Sequence, residues 1–176
     1  HTTRSQAALQ GAQQLAQAAG HTELSPLHLA ASLLNEPAGV TAAILNKLGA
    51  EPAALATEIA EHIAKLPTSS NPNLVMSQRL AAVLNEASSL AQGLGDEFLS
   101  TEHLLLALAK EGGPEVQALF SVRDLTPASI EAALTEVRGD RRVTTPDPEG
   151  TYDALKKYAR DLTADAEAGK LDPVIG

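Results

Sequence analysis

An all-α domain built from a duplicated four-helix repeat is the fold the sequence predicts, and three observations carry the prediction. Aromatic residues make up only 2% of the 176 residues while 44% are hydrophobic, so the core must be Leu, Ala, Ile and Val, which suits closely packed helices better than a β-sandwich. Apolar residues recur at helical spacing along most of the chain. The chain also matches itself when shifted by 75 residues: Arg4 falls on Arg79, Leu15-Ala16-Gln17 on Leu90-Ala91-Gln92, Gly20 on Gly95, Leu24-Ser25 on Leu99-Ser100, His28-Leu29 on His103-Leu104, and Pro52-Ala53 on Pro127-Ala128. About 18 of 60 positions agree without a gap, and Gly, Ser, His and Pro recur in register, which shared composition alone would not arrange.

The first repeat covers about 1–66. Ser25-Pro26 opens its central helix, with Pro at the first helical position where a missing N–H costs nothing. A short helix follows near Val40–Leu48, and Glu51-Pro52 opens a fourth carrying Leu55, Ile59 and Ile63. Residues 66–73, with two prolines among small polar residues, read as an exposed connection. The second repeat, about 77–140, starts with a long helix whose stripe is Leu80, Val83, Leu84, Ala87, Leu90, Ala91 and Leu94, stopped by Gly95. Ser100 is a natural N-cap for a helix from Thr101 to about Lys110, whose Leu104-Leu105-Leu106-Ala107-Leu108 run is apolar all round and therefore belongs in the middle of the bundle. A short helix near Val116–Ser121 and a fourth opened by Thr126-Pro127 complete it. From Gly139 to Gly150 there is no apolar period, and a flexible tether over 141–151 is expected. Residues 152–176 regain a narrow stripe (Leu155, Tyr158, Ala159, Leu162) as a linker helix from Tyr152 to about Gly169, and 170–176 read as non-helical.

Charge and composition exclude several functions. Lys+Arg number 13 against 22 Asp+Glu, a net charge of −9, which argues against nucleic acid or an anionic membrane as partner. The absence of cysteine removes disulfides, thiolate metal sites and Cys catalysis together. No apolar run approaches the roughly 18 residues that a bilayer crossing needs, and a cytoplasmic location is expected. No phosphate loop, Gly-x-Ser-x-Gly or Gly-x-Gly-x-x-Gly pattern occurs, and Glu102-His103 lacks the second His of a zinc-protease motif because position 106 is Leu. The chain itself is expected to be no enzyme, to hold no metal or cofactor, and to be monomeric. His28 and His103 are repeat-equivalent, each three residues after the N-cap; the reading favoured is a cap or interface residue, the alternative a helical hydrolase using one of them. Two matched halves are expected to leave an apolar groove at their junction, rimmed by Asp96, Glu97 and Glu102 and suited to unfolded segments with apolar and basic residues.

Leu24-Ser25-Pro26-Leu27-His28-Leu29 and Leu99-Ser100-Thr101-Glu102-His103-Leu104-Leu105 resemble the Clp N-domain of Hsp100 AAA+ proteins. Tyr152-Asp153-Ala154-Leu155-Lys156-Lys157-Tyr158 and Gly169-Lys170-Leu171-Asp172-Pro173-Val174-Ile175-Gly176 look like the segment leading into the first AAA+ module of the ClpB type. The resemblance implies a mobile N-domain that binds misfolded or aggregated polypeptide and delivers it to a hexameric motor, with the Hsp70 system as partner and with ATP and magnesium used by the full-length parent. It implies substrate-binding roles for Thr2, Asp96 and Glu102, with Leu84, Leu90 and His103 in the apolar groove, and adenine packing in the full-length protein for Val174 and Ile175. Thr2 also reads as the N-cap of the first helix. The alternative within the family is an adaptor- or substrate-docking domain of a ClpC- or ClpA-type protease unfoldase.

Overall fold

The computed structural model describes residues 1–71, 73–139, 141–150 and 152–153. Its helices repeat at the same 75-residue shift as the sequence. Helix α1 spans Thr3–Ala18, α2 Pro26–Asn35, α3 Gly39–Lys47 and α4 Pro52–Ile63 in the first repeat. Their counterparts are α5 (Gln78–Gly93), α6 (Thr101–Glu111), α7 (Pro114–Ser121) and α8 (Pro127–Arg138). Two-residue strands β1 (Glu23–Leu24) and β2 (Val75–Met76) pair in parallel and pin the inter-repeat connection against the start of α2. No helix among the described residues is long and apolar enough to cross a membrane.

The caps explain where these helices start. Thr2 and Ser77 hold equivalent positions, and each side-chain oxygen accepts the N–H three residues on, from Ser5 and Leu80. At the two central helices a histidine closes the box: Ser25 N–H donates to His28 Nδ1 at 2.9 Å and Ser100 N–H to His103 Nδ1 at 2.8 Å. Both histidines therefore cap their own helices, the role favoured from sequence. Pro26, Pro52, Pro114 and Pro127 sit at first-turn positions of α2, α4, α7 and α8.

Helix α6 is the hub, with every residue from Thr101 to Ala109 buried. It packs on α5 and reaches α7, α8, α1, α2 and α3. Across the repeats the short and fourth helices exchange partners, α3 on α8 and α7 on α4. One continuous core of Leu, Ile, Ala and Val, with Phe120, draws on both halves. The junction is closed further by a Thr41–Thr101 hydroxyl bond at 2.8 Å. The apolar groove expected at that junction is accordingly filled by core side chains.

The segment after α8 also differs from expectation. Instead of leaving as a free tether, residues 141–150 lie back across the N-terminal ends of α1 and α6. Thr3 N–H donates to Pro146 O at 2.6 Å, and Glu97 N–H to Val143 O at 2.8 Å. Val143 and Glu149 are buried. Helical geometry resumes at 148 rather than 152, because Asp147 accepts Gly150 N–H at 3.2 Å as an N-cap and Pro148 follows it at the first helical position. The remainder of the expected linker helix, with Val174 and Ile175, lies outside the described residues.

Candidate functional site

The duplication acts as an internal control, because three positions where the halves disagree in charge carry buried side chains in the second repeat. His21, Leu27 and Ile63 in the first repeat correspond to Asp96, Glu102 and Arg138 in the second. Leu27 is buried and Ile63 half-buried, as core residues should be. In the second repeat the same three places carry two acids and a guanidinium, and all three converge beneath the 141–150 segment.

Asp96 is the centre of this cluster, its side chain fully buried. Arg138 grips it with a fork, Nη1 to Oδ2 at 2.8 Å and Nη2 to Oδ1 at 2.6 Å. Val143 N–H donates to Oδ1 at 2.8 Å. His103 is fixed in one tautomer: its Nδ1 accepts from Ser100 N–H, so Nε2 carries the proton and donates to Asp96 Oδ2 at 2.7 Å. Burial alone would push the Asp96 carboxyl up, but the Arg138 fork, the Val143 amide and His103 outweigh it and hold it below the usual carboxylate range. For His103 the balance tips the other way, burial lowering its pKa more than Asp96 raises it, so the ring stays neutral.

Glu102, in the first turn of α6, is also buried. Its Oε1 accepts from Ser100 Oγ and lies 3.9 Å from Arg138 Nη1. Burial pushes its pKa up to about 7, despite the Ser100 hydroxyl and Arg138, and neighbouring Glu149 pushes the same way. Glu149 reaches in from the docked segment. Its Oε1 accepts from Thr2 Oγ1 at 2.8 Å and from Thr101 N–H at 3.4 Å, while Oε2 is buried with no partner among the described residues. A cleft of about 220 Å³ opens beside it, bounded by Val40, Arg138, Arg142, Thr145, Glu149 and Tyr152. Among the described residues no group of three or more His, Asp or Glu converges as a metal site.

Of the sequence-predicted site residues, Thr2, Asp96, Glu102 and His103 are therefore brought into one buried polar network. Leu84 and Leu90 lie apart from it, half-buried on α5 and packed against the core. The carboxylate rim expected from sequence is exposed only at Glu97, since Asp96 and Glu102 point inward. A second cleft, about 530 Å³, lies on the opposite repeat between α1 and α2, bounded by Arg4, Gly11, Leu15, Ser32 and Glu36. Sequence reasoning missed Arg138, Val143 and Glu149. Arg138 had a signal, a charge where the other repeat has Ile63; Glu149 had none, because 141–150 has no apolar period to mark which side chains turn inward.

Thr2→Ala should lower stability by about 1–2 kcal/mol, since it removes both the cap on α1 and the hydroxyl donor to Glu149. Thr2→Ser should retain most of it. Thermal melts of the two variants check this, and equal midpoints for Ala and Ser would contradict the capping geometry.

The chain matches the Clp repeat (R) N-terminal domain over residues 1–121. It is 42% identical over 177 aligned residues to the chaperone protein ClpB of Mycobacterium tuberculosis, covering 99% of this chain and 21% of the relative. The chaperone protein ClpB of Bdellovibrio bacteriovorus is 40% identical, with the same coverage of both. The chain thus spans about a fifth of the length of these relatives. In architecture it is similar to the Hsp104 N-terminal domain from Candida albicans, with a TM-score of 0.71 at 21% identity over 84% of this chain and 97% of that one. The N-terminal domain of the ClpV1 ATPase from E. coli gives a TM-score of 0.61 at 24% identity, over 78% and 87%. The duplicated helices, the repeated caps and the profile match lead to one conclusion: this chain belongs to the Clp repeat N-terminal domain family.

Proposed function

We propose that this chain is the client-recruiting domain of a ClpB-type disaggregase, binding misfolded or aggregated polypeptides and passing them to a hexameric motor that uses ATP and magnesium in concert with the Hsp70 system in the cytoplasm. The observation that carries this reading is that similarity to ClpB chaperones extends over 99% of the chain, beyond residue 121 where the family profile stops. The client site is assigned to the face above Thr2, Asp96, Glu102 and His103. Asp96 and His103 hold its shape from beneath, Thr2 and Glu102 line it, and Leu84 and Leu90, apart from it on α5, offer a further apolar surface. Val174 and Ile175 are assigned to adenine packing once the following module is present.

Deleting residues 1–150 from the full-length protein should weaken binding to aggregated protein at least several-fold while leaving basal ATP hydrolysis largely intact. Co-sedimentation with heat-aggregated protein, beside a phosphate-release assay, makes the measurement. Loss of ATP hydrolysis with unchanged aggregate binding would make the domain a structural part of the motor instead.

A further inference from the structure

The segment 141–150 occupies the face that the client-recruiting reading assigns to clients. It is held by two buried side chains six residues apart, Val143 and Glu149, and by main-chain bonds at Glu97 and Thr3. This is the way an extended peptide binds: backbone bonds give hold, and alternating pockets choose side chains. Pro146 and Pro148 restrict the segment's backbone, so little freedom is lost when it docks. Gly39, at φ +59°, lets it approach, because a Cβ there would stand 2.7 Å from Glu149 Cα.

The docked segment is nonetheless a poor occupant. Glu149 leaves one buried oxygen without a partner among the described residues and faces a second carboxyl group, Glu102. Unsatisfied buried acceptors are costly, and the segment has no apolar stripe to offset them. An extended peptide that turned one carboxylate oxygen to the Thr2 hydroxyl and the other to Thr101 N–H would leave neither unpaired and would take its place.

We propose that residues 141–150 are a displaceable strap that occupies the client site in cis, and that clients enter by replacing it with an extended segment carrying a β-branched aliphatic residue and, about six residues later, a carboxylate. The carboxylate is received by the Thr2 hydroxyl and Thr101 N–H at the N-terminal ends of α1 and α6, where anions are favoured. The aliphatic residue takes the Val143 pocket, with its main chain on Glu97 N–H and Asp96. The preference therefore differs from the basic segments expected from overall charge. This inference rests on the client-recruiting reading, but its test is separable.

The probe is a fluorescein-labelled peptide with the sequence of residues 141–150, titrated into the 1–176 chain and followed by anisotropy. A Val143→Ser/Glu149→Ala chain, whose own strap is released, should bind it at least tenfold more tightly than the unaltered chain. Gly39→Ala, whose Cβ would crowd Glu149 of the strap and of the probe alike, should release the strap without gaining that affinity. Equal affinity in all three chains would overturn the strap. Hydrogen exchange on the unaltered chain gives a second measurement that needs no variant to fold: saturating peptide or client should deprotect the Val143 amide. A Val143 amide that stays protected while client is bound would also overturn the proposal. Unfolded carboxymethylated α-lactalbumin serves as the client; its failure to bind any of the chains would count against the client-recruiting reading, and the peptide ratios would still decide the strap.

Discussion

Asp96→Ala is expected to cost about 3–5 kcal/mol, lowering the melting midpoint by roughly 10 °C or more. The Asp96 carboxylate is the meeting point of the Arg138 fork, the His103 ring and the Val143 amide. Truncating it leaves a guanidinium only 6% exposed, with Arg141 O at 2.7 Å and Glu102 at 3.9 Å as its remaining partners. Removing one member of a buried ion pair costs more than the pair contributes, because the survivor is stranded away from water. Asp96→Asn should fall between, keeping one acceptor oxygen, for Val143 or for His103, while its amide nitrogen faces the other donor and the charge is lost. The same reasoning gives an acid limit. The Asp96 pKa is depressed in the fold, so its contribution is complete above the ordinary value of 3.8 and is lost as the pH falls below it. Circular-dichroism melts at pH 7 decide the matter: a midpoint for Asp96→Ala within 2 °C of the unaltered chain would mean that Arg138 finds solvent or another partner. Client-binding losses in this variant must be measured well below its midpoint, so that a missing contact is separated from a loosened fold.

The extent to which the molecule is legible in its sequence follows from the duplication. A 75-residue shift placed the four helices of each half, and the caps at Ser25, Ser100 and Thr126 set their starts to within one or two residues; α7 begins at Pro114 rather than Val116 because Pro114 itself fills the first turn. Helices are readable because periodicity, capping and proline position are local. The site was half legible: its buried acids lie at places where an aliphatic or neutral residue of the first repeat becomes charged in the second. The docked strap was not, since Val143 and Glu149 are single anchors in a segment with no period, and what holds them, Thr2, Glu97 and Thr101, lies far away in sequence. The exposed or buried state of Asp96 and Glu102 was hidden for the same reason. A carboxylate in a first turn reads as solvent-facing until a distant Arg138 turns it inward.

The starts of the two central helices, through His28 in one and Glu102 in the other, predict a second large effect, one that the unaltered chain conceals. His28 Nδ1 accepts Ser25 N–H, so its Nε2 proton is donated to His21 Nδ1 at 3.0 Å. Burial, and then His21, lower the His28 pKa to about 4 from its ordinary 6.5. As pH falls below 6.5 the unfolded chain takes up a proton that the folded chain refuses, so stability drops between pH 6.5 and 4 by about 2–3 kcal/mol after some solvent screening. Glu102 runs in the opposite sense. With its pKa raised from 4.5 to about 7, its contribution is complete below pH 4.5 and is lost as pH rises through 7. Acidification from pH 7 to 5 therefore weakens one repeat through His28 and strengthens the other through Glu102, and the unaltered chain should show a nearly flat profile. Separating the two exposes each. His28→Gln keeps an acceptor for the Ser25 amide and should make the domain more stable at pH 5 than at pH 7. Glu102→Gln should do the reverse and lose about 2 kcal/mol or more over the same interval. His21→Asp, which copies the Asp96–His103 arrangement into the first repeat, should reduce the His28 loss without removing it, because burial keeps the His103 pKa lowered even beside Asp96. Urea titrations at pH 5 and 7 on the three variants provide the test: parallel pH profiles for His28→Gln and Glu102→Gln would show that neither group titrates on folding, and that both helix starts are more open to water than their burial implies.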